Sequence, residues 1–219
     1  MPIQVIIGVI LLILVSPFLI KFIKHKSLYP FMPFKYNFKR RRITFVKTLK
    51  LLKERNAKII IETGTSRKGL KGTRGDGAFT IVFGKWAKEH GAKLHSVDIS
   101  EASCEGSKKE VTKQGLDGVV TVHHDDSLEF LKTFNDPIDL LYLDSYDYSK
   151  TDKNIQLKSQ EHHLKEFKII ENKLHDNTIV LIDDCGLPGG GKGKTVIEYM
   201  TNKNWKILIN TYQVLLVRK

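Results

Sequence analysis

The sequence predicts an α/β protein: a doubly wound, mostly parallel sheet of seven strands with an antiparallel last strand, preceded by one N-terminal transmembrane helix. Three observations predict it. From residue 57, apolar strand-like runs alternate five times with helical stretches; two further strand-like runs, "WKILIN" and "YQVLLVRK", then close the chain across a short turn; and the first 20 residues carry no charge. Parallel strands need a crossover of about a dozen residues or more, which the helices supply, whereas a short turn permits only an antiparallel pair. The last strand must therefore enter the sheet against the direction of the others.

At the N-terminus, "IQVIIGVILLILVSPFLI" runs 18 residues from Ile3 to Ile20 without a charge. That is close to the minimum of about 18 for a bilayer span. A cleaved signal peptide fits less well, because no basic residue precedes the run and no small-x-small site comes after it. A buried helix would also be apolar all round. Residues 1–22 are therefore expected to form a membrane anchor, residues 23–43 a basic, aromatic juxtamembrane linker that includes "SLYPFMPFKYNF", and residues 44–219 the folded domain. The formal charge of +12 is concentrated: residues 21 to 56 hold 12 Lys/Arg against the single acid Glu54, and the remainder is nearly neutral. A nucleic-acid enzyme should carry its positive charge on the domain that handles the substrate, so nucleic acid is disfavoured as a partner. Basic residues after an apolar run place the C-terminal part of the chain on the cytoplasmic side of a membrane. Cys104 and Cys185 lie far apart without metal spacing, which fits a reducing compartment.

Within the domain, "ITFVKTLKLLKER" has helical spacing and should lie over one edge. Then come strand "AKIIIETG", helix "GAFTIVFGKWAKEHG" ending at Gly91, strand "KLHSVDIS", helix "EGSKKEVTKQGL", strand "GVVTVHHDD", helix "SLEFLKTF", strand "IDLLYLD", helix "EHHLKEFKIIENKL", strand "TIVLIDD" and helix "TVIEYMTNK". Such sheets bind ligands at the carboxyl ends of their strands. Acids stand there repeatedly: Glu62, Asp98, Asp125 and Asp126, Asp144, then Asp183 and Asp184. One such carboxylate reads as a helix cap; five strand ends in succession do not.

With these residues in place, residues 57 to 219 resemble the class I S-adenosylmethionine (SAM)-dependent methyltransferases, whose fold is Rossmann-like. "IIIETGTS" is similar to the family's first motif, which implies that Glu62, Gly64, Thr65 and Ser66, with Gly77 at the next helix, approach the methionine part of the cofactor. "LHSVDIS" resembles the second, which implies that Asp98 grips both ribose hydroxyls; "HDDSLEFL" resembles the third, which implies Asp126 and Ser127 beside adenine. A nicotinamide-dependent oxidoreductase shares the first turn and the ribose acid but needs Gly-x-Gly-x-x-Gly, and "ETGTSRKG" lacks it. The stretch "TSRKGLKGTRGD" is longer than the turn most members use and is rich in basic residues.

Asp144 with the pair Asp183-Asp184 resembles, more narrowly, metal-dependent small-molecule O-methyltransferases of the catechol and macrocin types. That resemblance implies magnesium held by these three acids, with Asp144 also catalytic, and a small-molecule acceptor such as a sugar or acidic metabolite. Catechol-type enzymes usually have Asp-Asn at the pair. "DDCGLPGGGKGKT" looks at first like a phosphate loop, but Pro188 stands where that loop needs its first glycine. It is expected instead to be a loop facing the substrate, with Lys192 and Lys194 available to an acidic group. His162 and His163 are the expected catalytic bases, because they open the helix after the fourth strand. Self-association and a non-catalytic, membrane-tethered scaffold of the same fold stay open.

Overall fold

The structure, a computed structural model, describes residues 2–25, 31–33 and 35–219. Two compact units divide the chain, Met1–Lys35 and Tyr36–Lys219. The first contains helix α1 (Ile3–His25), in which Pro17 removes a backbone donor and the Ser16 hydroxyl donates instead to the Ile13 carbonyl, at 3.2 Å. Apolar side chains stand exposed along it, Ile3 and Leu12 at about three-quarters. Among the described residues no helix is long and apolar enough to cross a membrane. The transmembrane expectation for residues 1–22 therefore gains no structural support; the apolar run, about 27 Å as helix, is at the short limit and is interrupted by Ser16 and Pro17. Residues 26–30 and 34 of the expected linker lie outside the described residues.

The second unit opens with α2 (Arg41–Glu54), so Arg41 and Arg42 belong to the folded body and not to a linker. The strands are β1 (Ile59–Thr63), β2 (Lys93–Asp98), β3 (Val120–His124), β4 (Ile138–Leu143), β5 (Leu174–Ile182), β6 (Trp205–Asn210) and β7 (Val214–Arg218). Their order is β3-β2-β1-β4-β5-β7-β6, and β7 is antiparallel to both neighbours. The chain reverses its direction of travel across the sheet between β1 and β4, which opens a crevice at their carboxyl ends. Between the strands lie α3 (Phe79–His90), α4 (Glu101–Lys113), α5 (Ser127–Thr133), α6 (Lys153–Ile170) and α7 (Lys194–Thr201).

Parallel strands are apolar on both sides because both faces are covered. On one face, Ile61, Leu141, Leu143, Val180 and Ile182 pack with Phe130, Phe167, Val196 and Trp205. The other face carries an aromatic nest in which Phe45 of α2 meets Phe79, Phe83 and Tyr142 edge-on, at centroid distances of 5.8, 5.2 and 6.4 Å. Phe79 also stacks flat on Tyr142. Helix α2 is thus a built part of the core.

Two boundaries differ from the sequence reading in ways that matter for the site. Helix α6 begins at Lys153, not at Glu161, because the Asp152 side chain caps it by accepting from the amides of Asn154 and Ile155 at 2.8 and 3.2 Å. His162 and His163 are therefore mid-helix. Helix α4 likewise starts earlier, at Glu101, capped by Ser100.

Candidate active site

The site begins where β1 ends. Gly64 has φ +85°, and a Cβ there would lie 2.5 Å from the Asp144 carbonyl oxygen, so only glycine lets β1 and β4 approach this closely. Its amide donates to the Val97 carbonyl at 2.8 Å. The Thr65 amide donates to one Asp98 oxygen at 3.0 Å and the Ser100 amide to the other at 2.8 Å, which fixes the carboxylate at the end of β2.

Asp98 and Gly64 stand on the shared wall of two adjoining cavities. The smaller, about 300 Å³, is lined by Ile99, Asp126, Ser127, Tyr146 and His162. The larger, about 770 Å³, is lined by Thr65, Arg67, Lys68, Lys71, Asp144, Asp184 and Lys192, among others. Of the expected cofactor residues, Gly64, Thr65, Asp98, Asp126 and Ser127 reach a cavity. Glu62, Ser66 and Gly77 do not. Glu62 is buried beneath the turn, accepting from the hydroxyls of Thr80 and Ser96, each at 2.6 Å, with its Oε1 unpartnered; burial pushes its pKa up to about 8. The Ser66 amide donates to Thr80 Oγ1 at 3.0 Å.

The two histidines separate. His163 is fully buried, its Nδ1 2.7 Å from the Ser159 carbonyl, and burial lowers its pKa to about 4. It lines neither cavity, so the structure gives it packing rather than catalysis. His162 faces the smaller cavity with Nε2 3.1 Å from Ser127 Oγ and 3.3 Å from Glu166 Oε1. Burial would raise the Glu166 pKa, but the His162 hydrogen bond and the nearby histidine charges outweigh it and leave the pKa lowered. His162 thus serves the Asp126–Ser127 end, away from the acid cluster.

Asp144 and Asp184 of that cluster line the larger cavity while Asp183 is buried behind it, and the cluster holds its own cations. The Arg41 Nε sits 2.7 Å from Asp183 Oδ2, and its terminal nitrogen 3.5 Å from Asp184 Oδ1. The Lys192 ammonium lies 2.8 Å from Asp144 Oδ1 and 3.6 Å from Asp184 Oδ2. The Tyr142 hydroxyl donates to Asp183 at 2.6 Å and lies 3.3 Å from Asp144 Oδ2, and Tyr212 donates to Asp184. Burial opposes the charge on Arg41 and on Lys192, but the carboxylates win and both stay above their ordinary pKa values. Burial raises Asp144 well above the usual carboxylate range, and the Lys192 ammonium beside it opposes that shift without cancelling it.

The expectation of magnesium meets a site whose residues do not fit it. Among the described residues no three His, Cys, Asp or Glu side chains are grouped to hold a metal ion, and two protein cations lie against the carboxylates. Asp183, expected as a ligand, is wholly buried and turned toward Arg41. The loop "GLPGGGKGKT" explains how Lys192 arrives. A Cβ on Gly191 (φ +61°) would collide with the Asp184 carbonyl oxygen, and Gln160 of α6 donates to the carbonyls of Gly189 and Gly191 at 3.1 and 3.0 Å. Lys192 is buried, whereas Lys194 is exposed on α7. Arg41 is the residue of this cluster that sequence reasoning missed; it comes from an element placed outside the sheet pattern.

Fold and site together define a doubly wound α/β protein with its ligand crevice at the strand ends. A family model described as a methyltransferase domain matches residues 74–185, just over half of the chain. The chain belongs to that methyltransferase family. Similar solved structures include an SAH-bound methyltransferase from Podospora anserina (15% identity, 81% of this chain and 79% of that one, TM-score 0.60). An O-methyltransferase from Bacillus cereus in complex with SAH is 14% identical over 81% of each chain, with a TM-score of 0.58. An O-methyltransferase from Streptomyces achromogenes involved in tomaymycin synthesis is 14% identical over 80% and 79%, with a TM-score of 0.55. Among curated protein sequences, none matches the chain.

Proposed function

We propose that this methyltransferase transfers the methyl group of SAM to a hydroxyl of a small molecule. The observation that carries the reading is Asp98, held by the Thr65 and Ser100 amides at the junction of the two cavities. There its carboxylate meets ribose hydroxyls, with adenine in the smaller cavity beside Ser127 and the methionine part running past Gly64 into the larger one. The acceptor oxygen attacks in line: its lone pair forms the bond to the methyl carbon as the carbon–sulfur pair returns to sulfur, leaving SAH. The acceptor's proton passes to a cavity-facing carboxylate, Asp144 or Asp184. Alignment of oxygen and methyl at about 3 Å supplies most of the acceleration. Calorimetry tests the cofactor assignment. Asp98→Ala should weaken SAM by about 1–3 kcal/mol, the range for hydrogen bonds to a charged group, and unchanged affinity rejects it.

Arg67, Lys68 and Lys71 on the rim of the larger cavity favour an acceptor with an acidic group. In a screen with methyl-labelled SAM, acidic acceptors should turn over faster than their neutral counterparts; equal turnover rejects the rim's role.

A second proposal concerns location. The exposed apolar side chains of α1, followed in sequence by Lys21, Lys24 and Lys26, favour seating in an anionic membrane with the second unit on the cytoplasmic side. The full chain should float with anionic vesicles in high salt, and deletion of residues 1–22 should leave only a salt-sensitive association. Release of the intact chain by salt alone rejects embedding.

A further inference from the structure

We infer that Arg41 and Lys192 replace the divalent metal in this chain, so that an internal pair of cations organises the acceptor end of the site. The inference rests on the methyl-transfer reading above and departs from the metal-dependent O-methyltransferases that the sequence resembles.

Five of the six carboxylate oxygens of the cluster have a protein donor or cation, and the sixth, Asp144 Oδ2, lies 3.3 Å from the Tyr142 oxygen, whose proton serves Asp183. Asp183 Oδ2 faces Arg41 and Tyr142, and its Oδ1 accepts from the Asp184 amide at 2.7 Å. Asp144 Oδ1 faces Lys192 and its Oδ2 faces Tyr142. Asp184 Oδ1 takes Tyr212 and Arg41, and its Oδ2 faces Lys192. A dication could bind only by displacing a cation or by sharing carboxylates with two that remain, and both carry a large desolvation and repulsion cost. Neither cation is a casual visitor. Arg41 and Lys192 are 5% and 4% exposed. A Cβ on Gly77 (φ +75°) would lie 2.9 Å from Arg41 Cδ, so that glycine clears the path of the guanidinium. Asp184 itself adopts φ +54°, unusual outside glycine, where the chain turns beneath Lys192. An arginine cannot shed its charge to admit a metal.

The same geometry gives Lys192 a task. Two of its contacts are hydrogen bonds, to the Asp144 carbonyl at 3.0 Å and to Asp144 Oδ1 at 2.8 Å; the third, to Asp184 Oδ2, is a looser 3.6 Å. An oxygen entering the larger cavity, which Lys192 lines, would compete with Asp184 Oδ2 for the third N–H, because 3.6 Å is longer than a hydrogen bond. There the ammonium would hold the acceptor oxygen by one charge-assisted hydrogen bond as its proton leaves.

Titration of the full chain with Mn²⁺, followed by electron paramagnetic resonance, tests this without any acceptor. The wild type should bind no stoichiometric Mn²⁺. Lys192→Met removes the counter-ion of Asp144 and Asp184 and should gain a site, tightening Mn²⁺ by about tenfold or more, while Lys192→Arg should stay as indifferent as the wild type. Thermal melting confirms that each variant is folded. One equivalent of Mn²⁺ on the wild type, or no gain in folded Lys192→Met, overturns the inference. SAM calorimetry in excess chelator is read separately: absence of SAM binding rejects the proposed function, whereas the Mn²⁺ titrations still decide whether the cations stand in the metal's place.

Discussion

Gly191 shows how much a single residue decides here. With φ +61° and no room for a Cβ against Asp184, Gly191→Ala should cost about 1–3 kcal/mol from strain alone and draw Lys192 out of register. The denaturant midpoint should fall accordingly, and an unchanged midpoint would show that the loop can move aside. Two buried titratable groups make opposite pH signatures. His163, lowered to about 4, favours folding while neutral, so its contribution is present above the unfolded value near 6.5 and is lost as pH falls toward 4. Glu62, raised to about 8, favours folding while protonated; its contribution is full below the unfolded value near 4.5 and is lost as pH rises toward 8. Between pH 7 and 5 they oppose each other, so the wild-type slope mixes both. In urea unfolding at those two pH values, His163→Gln should remove about 2 kcal/mol of acid-side loss and Glu62→Gln an alkaline-side loss of similar size. Parallel slopes in wild type and variants would contradict both assignments.

At the scale of elements, α2 contributes twice, through Phe45 to the core and through Arg41 to the site. Phe45→Ala should destabilise by about 3–5 kcal/mol, measured by chemical unfolding, because its ring contacts Phe79, Phe83 and Tyr142 together. The legibility of the sequence divides in the same way. The strands and their terminal acids were legible because apolar runs and turns have fixed periods, and the order of Gly64, Asp98, Asp126 and Asp144 tracks the sheet. The first eight residues of α6, "KNIQLKSQ", were not, since they are mostly polar and their cap, Asp152, lies among other loop-type residues. Those two missed turns made His162 and His163 look like helix-opening bases. The Arg41 pairing was also beyond reach, because no local pattern relates a helix start to a strand end far along the chain.

For the whole molecule, the folded body starts at Tyr36. A chain beginning at Tyr36 should fold and bind SAM. One beginning at residue 44, the boundary that charge and composition suggested, leaves Asp183 buried without its counter-ion and should lose about 3–5 kcal/mol, visible as a lower melting temperature. Equal melting of the two would show that Arg41 is dispensable. Net charge does not reveal this, since Arg41 faces inward although residues 23–43, to which it belongs, read by charge as a membrane-facing linker.

Arg41 and Asp183 are 142 positions apart, and that separation sets a timetable during synthesis. The guanidinium leaves the ribosome early, with the first helix of the folded unit, and its partner emerges only after most of the sheet has been made. At a translation rate of about 5–20 residues per second, the interval is several seconds or longer. Until then α2 has an unpaired charge at the edge of an unfinished core, and closing so long a loop is entropically expensive. The last strands therefore do more than widen the sheet: their arrival lets the first helix settle, and a nascent chain interrupted before β5 lacks the contact that completes both the core and the crevice.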